Sequence, residues 1–102
     1  MVSYFYAAPE ILKGEHYNEK VDGWSLGVMI YRMLSGEYPF NSLVEGENEL
    51  FSTIQKGKFN FTENWNPISE EAKDLVLHLL DLDPDRRLSM SEVNEHPWMN
   101  MF

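Results

Sequence analysis

The sequence predicts an all-α domain packed around one buried central helix. The longest apolar segment, residues 19–35, has hydrophobic residues on nearly every side of a helix, and a helix without a polar face is buried by its neighbours. Prolines and glycines divide the rest of the chain into short segments with helical periodicity, and no confident strand remains. With 102 residues and 43% hydrophobic content, the chain suits one small domain over residues 1–102.

The first two helices are predicted over residues 8–13 and 19–35. Pro9 suits the first turn of a helix, where its missing N–H would have no helical partner. Gly14 and Gly36 follow the two segments, and glycine commonly ends a helix because it adopts the left-handed conformation without strain.

Two glycines give the central helix one narrow face. Gly23 and Gly27 stand four residues apart, so they share a face and allow another backbone to approach closely. Residues 37–40 are predicted to form a loop that returns aromatic rings to the core. A shorter amphipathic helix follows over residues 47–56 and ends at Gly57.

The next segment is ambiguous in its periodicity. Phe59, Phe61 and Trp65 alternate with polar residues, a pattern that fits a strand by its period alone. Pro67 lies nearby and the chain offers no partner strand. We therefore expect an extended loop that lays these aromatic rings on the core.

A clear amphipathic helix is predicted over residues 70–81. Ser69 is a suitable N-cap, and Glu70 and Glu71 lie at the positive end of the helix dipole. Its buried stripe consists of Ala72, Leu75, Val76, Leu79 and Leu80.

The last helix is predicted over residues 90–96, after a turn at residues 83–85. Ser89 and Glu92 have the spacing of a capping box, in which each side chain bonds the other residue's backbone N–H. Pro97 ends the helix because it cannot continue the hydrogen-bonding pattern.

Charge and composition exclude several classes of function. The net charge of −9 argues against binding to nucleic acid or to an anionic membrane surface. There is no cysteine, no apolar run long enough to span a bilayer and no signal-peptide pattern, so we expect an intracellular protein, cytoplasmic or nuclear. The three histidines, His16, His78 and His96, lack the spacing of metal ligands, and no metal site is expected.

Four motifs occur in an order that resembles the C-terminal lobe of a Ser/Thr protein kinase. They are Tyr6-x-Ala8-Pro9-Glu10, Asp22-x-Trp24-Ser25-Leu26-Gly27-Val28, Asp83-Pro84-x-x-Arg87 and His96-Pro97-Trp98. The loop around Gly57-Lys58-Phe59 is similar to that of the calcium/calmodulin-dependent and calcium-dependent protein kinases. The resemblance covers essentially the whole chain.

The resemblance implies a structural ion pair between Glu10 and Arg87. In the family, this glutamate and arginine tie the end of the activation segment to the base of the lobe, and a planar guanidinium can hold a carboxylate with two bonds. Asp22 would accept hydrogen bonds from the catalytic-loop backbone, although a simple helix cap is an alternative role for it. Met29 and Met33 would support the hydrophobic spine, with plain core packing as the alternative.

The resemblance also implies a loop that receives the peptide substrate. Ser3 stands where the family has a threonine that contacts the catalytic aspartate, and Tyr6, Ala7 and Ala8 would receive the residue that follows the phosphoacceptor. Arg32 occupies a position that is often acidic or apolar in relatives. A basic residue there would disfavour a basic substrate side chain if it faced the peptide groove.

The parts that handle ATP are missing from these 102 residues. The six glycines form no Gly-x-Gly, and there is no Asp-Phe-Gly or catalytic loop. We therefore expect a fragment whose parent kinase uses ATP and Mg and phosphorylates protein or peptide substrates, while the chain itself binds no cofactor or metal and is inactive. The alternative is a truncated or pseudokinase-derived binding module.

The same reasoning predicts an exposed apolar face. If the kinase N-lobe and catalytic loop are absent, Met29 and Met33 lose the residues that would cover them. Large exposed apolar patches drive association. We expect self-association in isolation, as a dimer or by exchange of a segment.

Overall fold

A computed structural model describes residues 6–40 and 47–101, and the described part is helical, with no strand. Five α-helices occur in it, together with two 3-10 turns. The helices are α1 (Pro9–Leu12), α2 (Lys20–Ser35), α3 (Glu47–Lys56), α4 (Glu70–Leu79) and α5 (Met90–Glu95), and the 3-10 turns are Glu63–Trp65 and Met99–Met101. This architecture confirms the predicted all-α class.

Some helix ends differ from the prediction by one or two residues, for local reasons. The helix expected over residues 70–81 ends at Leu79, because Leu80 leaves the helical conformation at φ −97° and ψ 33°. The helix expected to reach His96 ends one residue earlier. His96 has ψ 141°, the extended conformation that a following proline imposes on its neighbour.

Helix α2 is the central element, and it packs most extensively against α4. The close approach predicted from its glycines is confirmed. A Cβ atom at Gly27 would lie 2.8 Å from Leu79 Cβ, and one at Gly23 would lie 2.9 Å from the carbonyl oxygen of Leu88. Only glycine leaves room for α4 and its following turn at this distance.

The expectation that α2 is buried all round is wrong at two methionines. Met29 is 47% exposed and Met33 is 74% exposed, whereas Trp24, Val28 and Tyr31 on the same helix are buried. No described element covers the two methionines. Hydrophobic residues on every side of α2 therefore indicate burial on most of its surface but not on this side.

The aromatic residues of the predicted loops do return to the core. Phe40 stacks on Trp24, with their ring centroids 5.4 Å apart. Tyr31 is surrounded by three rings from the segment after α3, and its hydroxyl donates to the carbonyl oxygen of Asn60. Those rings are Phe59, Phe61 and Trp65, with centroids 5.9, 6.1 and 4.8 Å from Tyr31.

Both predicted caps of the last two helices are present. The Ser69 hydroxyl accepts a hydrogen bond from the Ala72 N–H over 3.2 Å. At the start of α5, Ser89 Oγ accepts from the Glu92 N–H over 3.2 Å, and Glu92 Oε1 accepts from the Ser89 N–H over 2.9 Å. This reciprocal pair is a complete capping box.

In residues 6–40 and 47–101, no helix has both the length and the apolar character needed to cross a bilayer.

Candidate functional site

The two ends of the described chain meet through a buried ion pair. Glu10 lies in α1 and Arg87 lies in the turn before α5. Arg87 Nη1 donates to Glu10 Oε2 over 2.8 Å, and Nη2 donates to Oε1 over 3.0 Å. The residues are 4% and 1% exposed. This is the two-bond geometry that the guanidinium plane allows and that a lysine could not supply.

Two further N–H donors of Arg87 bond backbone carbonyls. Its Nε donates to the carbonyl oxygen of Asp81 over 3.0 Å, and its Nη1 also donates to that of Lys20 over 3.1 Å. The guanidinium lies over the ring of Trp24, 5.1 Å from its centroid. In return, Lys20 Nζ donates to the carbonyl oxygens of Arg87 and Pro84 over 2.7 and 3.0 Å. The arginine therefore joins α1, the start of α2 and the turn after α4.

Opposing effects act on the pKa of the Glu10 carboxyl. Burial alone would raise it, because the charged form is removed from water. The hydrogen bond from Arg87, a backbone hydrogen bond and the charges of Arg87 and Lys13 act in the opposite direction and together lower the pKa below 4.5. The carboxyl is therefore ionised at neutral pH, and the pair is charged.

The predicted substrate loop is partly described. Ala7 and Ala8 are buried and Tyr6 is half-buried, while Ser3 lies outside the described residues. The Ser25 hydroxyl, on α2, donates to the carbonyl oxygen of Tyr6 over 2.9 Å. This bond attaches the loop to the central helix just before α1 begins.

Asp22 lies in the first turn of α2, and its carboxylate is exposed. The alternative that it caps the helix is wrong. The side-chain oxygen of Asn18 accepts the hydrogen bond from the Lys20 N–H, over 2.9 Å, and Asp22 forms no side-chain hydrogen bond with the described residues. The negative charge of Asp22 still interacts favourably with the positive, N-terminal end of the helix dipole.

The sequence of this helical region matches a known protein family. The family model described as "Protein kinase domain" matches residues 1–99.

The chain belongs to the protein kinase family.

Several curated kinases are similar to the chain over almost its whole length. Ribosomal protein S6 kinase alpha-1 of Rattus norvegicus is 46% identical over 96 residues, covering 92% of this chain and 13% of that protein. Serine/threonine-protein kinase DCLK3 of Mus musculus is 45% identical, covering 94% of this chain and 12% of that protein. Calcium-dependent protein kinase 21 of Arabidopsis thaliana is 45% identical, covering 95% and 18%. The resemblance inferred from the four motifs is confirmed.

A solved structure agrees with these matches. The twitchin kinase region from C. elegans superimposes with a TM-score of 0.89 and 34% identity, over 93% of this chain and 17% of that chain. The chain thus spans less than a fifth of the length of each protein named here. What it shares with them is a kinase region of about 100 residues.

The described residues of this kinase region do not fit a metal ion. They contain no group of three His, Cys, Asp or Glu side chains that could hold one. The acidic residues after α4 are occupied with local turns, since Asp81 Oδ1 accepts from the Asp83 N–H and Asp83 Oδ1 accepts from the Asp85 N–H, both over 3.0 Å. ATP and Mg are implied by the family for the complete enzyme.

Two structural contacts of the kinase region had no signal in the sequence. One is the pair of bonds that Lys20 donates to backbone carbonyls near Arg87. The other is Asp74, whose Oδ2 lies 2.8 Å from Nε2 of the buried His96. Because His96 Nδ1 accepts from the Trp98 N–H over 3.1 Å, Nε2 carries the proton and donates to Asp74. Neither Lys20 nor Asp74 belongs to one of the four motifs or to an apolar periodic pattern.

Proposed function

We propose that this chain is the substrate-side part of a Ser/Thr protein kinase, whose complete form transfers phosphate from ATP, with Mg, to protein or peptide substrates. The observation that carries the proposal is the buried two-bond pair of Glu10 and Arg87, in motif positions that the family match covers. The named relatives support the Ser/Thr class. An intracellular location, cytoplasmic or nuclear, is part of the same proposal.

In this proposal the chain contributes position rather than reacting groups. Phosphoryl transfer depends mostly on the placement of the two substrates and on charge neutralisation. The Glu10–Arg87 pair fixes α1, and the bond from Ser25 to the Tyr6 carbonyl fixes the loop that leads into it. The substrate loop would then hold a fixed position beside the peptide through Tyr6, Ala7 and Ala8. Ser3 would lie closer to the reacting groups.

The exposed side of α2 would face the rest of the kinase. The carboxylate of Asp22 is exposed and is oriented by no side-chain bond to the described residues, so it is accessible to backbone N–H groups of a catalytic loop. Met29 and Met33 form an uncovered apolar surface on the same helix. We propose that they support the hydrophobic spine in the complete enzyme and mediate self-association when the chain is alone.

The test compares the 102-residue chain with the complete gene product. Both are incubated with ATP, Mg and a Ser/Thr peptide library, and phosphopeptides are detected by mass spectrometry. We expect transfer by the complete product and none by the chain alone. Transfer by the isolated chain would contradict the assigned division of roles. An inactive complete product that still binds protein partners would favour the non-catalytic binding module.

A further inference from the structure

Lys20 is bonded in both directions to the turn that carries Arg87. This turn runs from Asp83 to Arg87, between α4 and α5. Lys20 Nζ donates to the carbonyl oxygens of Pro84 over 3.0 Å and of Arg87 over 2.7 Å. In the opposite direction, Arg87 Nη1 donates to the carbonyl oxygen of Lys20 over 3.1 Å. Lys20 therefore contacts both the backbone and the guanidinium of Arg87, from a position 67 residues earlier in the chain.

Two sets of bonds hold this turn, one local and one long-range. The carbonyl oxygen of Asp83 accepts from the N–H groups of Arg86 and Arg87, each over 3.0 Å, and its Oδ1 accepts from the Asp85 N–H over 3.0 Å. These local bonds give the turn its shape. The bonds from the Lys20 ammonium are charge-assisted, and they attach the turn to the start of α2.

The position of the turn decides how Arg87 meets the Glu10 carboxylate. Nη1 donates to Glu10 Oε2 over 2.8 Å, and Nη2 donates to Oε1 over 3.0 Å. Two parallel bonds require the plane of the guanidinium to be aligned with the carboxylate, so a shift of the arginine backbone breaks at least one of them. The charges that act on Glu10 are those of Arg87 and Lys13. Lys20 therefore acts on the carboxylate by positioning Arg87 rather than by its own charge.

We propose that Lys20 is a positioning residue for the peptide substrate. By holding the turn, it aligns the Arg87 guanidinium with Glu10 and so sets the position of α1. Residues 6–8 lead directly into α1, so a displacement of that helix also displaces them. This inference rests on the proposed function, because that function assigns residues 6–8 to the peptide. Lys20 lies outside the four sequence motifs, and the motifs give it no role.

The first test observes the Arg87 guanidinium by NMR in the 102-residue chain at neutral pH, and it needs no phosphoryl transfer. The chain has three arginines, so spectra of Arg32→Gln and Arg86→Gln assign the third. A two-bond pair slows rotation about the Nε–Cζ bond, and the two Nη nitrogens then give separate signals. We expect separate signals in the native chain and one averaged signal in Glu10→Gln. Lys20→Met removes the ammonium and should also average the signals, although the carboxylate is still present.

Two further variants separate position from charge and from folding. Lys13→Met removes an exposed cation whose charge acts on Glu10, and it should leave the Arg87 signals separate. Lys20→Gln keeps an amide donor for one carbonyl oxygen, so the rotation rate should lie between those of the native chain and Lys20→Met. Circular dichroism shows which variants are folded. If Lys20→Met is unfolded, Lys20→Gln decides the test.

The second test uses the complete gene product and separates the two substrates. Lys20→Met should raise KM for the peptide about twofold to thirtyfold, the range for residues that act through a contiguous network, and leave KM for ATP unchanged. A residue that only stabilised the fold would lower the amount of folded enzyme, and with it the apparent kcat. It would change neither KM.

Several results would overturn the inference. In the NMR test, these are averaged Arg87 signals in the native chain, separate signals at the native rotation rate in the deciding Lys20 variant, or equal averaging in Lys13→Met. In the kinetic test, it is a KM for the peptide that changes no more than KM for ATP. The NMR result does not depend on phosphoryl transfer. An inactive complete product would therefore contradict the proposed function, while the NMR test still decides whether Lys20 positions Arg87.

Discussion

At the scale of single residues, the fold depends on one buried charge pair that makes several hydrogen bonds. The Arg87 guanidinium bonds the Glu10 carboxylate twice and two backbone carbonyls once each. A pair satisfied in this way offsets the cost of removing two charges from water, whereas loss of either partner leaves the other charge buried without compensation. The pair therefore makes the attachment of α1 depend on the ionisation of one carboxyl.

We expect Glu10→Gln to destabilise the fold by about 3–5 kcal/mol at neutral pH, because it leaves the Arg87 charge unpaired. Folding lowers the pKa of Glu10 from 4.5. Near pH 4.5, the unfolded chain of the unsubstituted protein therefore binds more protons than the folded chain. The stabilisation is therefore fully present above the unfolded pKa and is lost as pH falls through the folded pKa. Urea unfolding from pH 7 down to pH 3 measures both effects.

The control for this prediction is Glu15→Gln, which removes an exposed carboxyl in the loop after α1. It should leave the unfolding free energy within about 0.5 kcal/mol of the native value throughout. The unfolding free energies of native protein and Glu10→Gln should converge on acidification. Curves that remain parallel across this range would show that Glu10 is not stabilised as a carboxylate.

At the scale of elements, the sequence predicts which segments are helical better than where they end. Periodicity placed α3 at its observed bounds, because Gly57 ends an unbroken amphipathic pattern. The end of α5 was missed by one residue, because Pro97 constrains the residue before it rather than only itself. Caps at Ser69 and Ser89 were predictable because their bonds are local.

Among the long-range contacts, only one that is related by sequence motifs could be predicted. Glu10 and Arg87 are 77 residues apart, and only the order of motifs relates them, since no local period can. Lys20 and Asp74 bond backbone or histidine partners far along the chain and leave no periodic signal. The periodicity of α2 alone predicted burial of Met33, whereas the absence of a catalytic loop in these residues predicted its exposure, because hydrophobicity does not tell which neighbours are present.

We expect Gly27→Ala to destabilise the protein by about 1–2 kcal/mol, although alanine is the better helix former by about 1 kcal/mol. The new methyl group would lie 2.8 Å from Leu79 Cβ and 3.0 Å from Leu80 Cδ2. Because a Cβ atom cannot rotate away, α2 and α4 must move apart. Urea unfolding followed by tryptophan fluorescence measures the loss.

The control in the partner helix α4 is Leu77→Ala, at a position that is 50% exposed. Its expected effect on the unfolding free energy is within about 0.5 kcal/mol. If Gly27→Ala were as stable as the native protein, the contact between α2 and α4 would be looser than the structure has it.

At the scale of the whole molecule, the chain has a core but not a completely covered central helix. The aromatic cluster and α4 bury one side of α2, and Met29 and Met33 remain exposed on the other. The net charge of −9 opposes the approach of a second copy, so association requires apolar contact strong enough to exceed that repulsion. The methionines are suited to this, because their flexible, polarisable side chains adapt to an irregular partner surface.

We expect the isolated chain to self-associate through this face, as a dimer or by exchange of a segment, and Met29→Lys with Met33→Lys to make it monomeric. The matched control places the same two charges at Leu77 and Met90, which are 50% and 45% exposed on α4 and α5. Both double variants change the net charge equally, so only loss of the apolar face distinguishes them. Sedimentation velocity over a wide range of concentration should show association for the native chain and the control variant. A native chain that stays monomeric at high concentration, or equal loss of association in both variants, would contradict this role for the methionines.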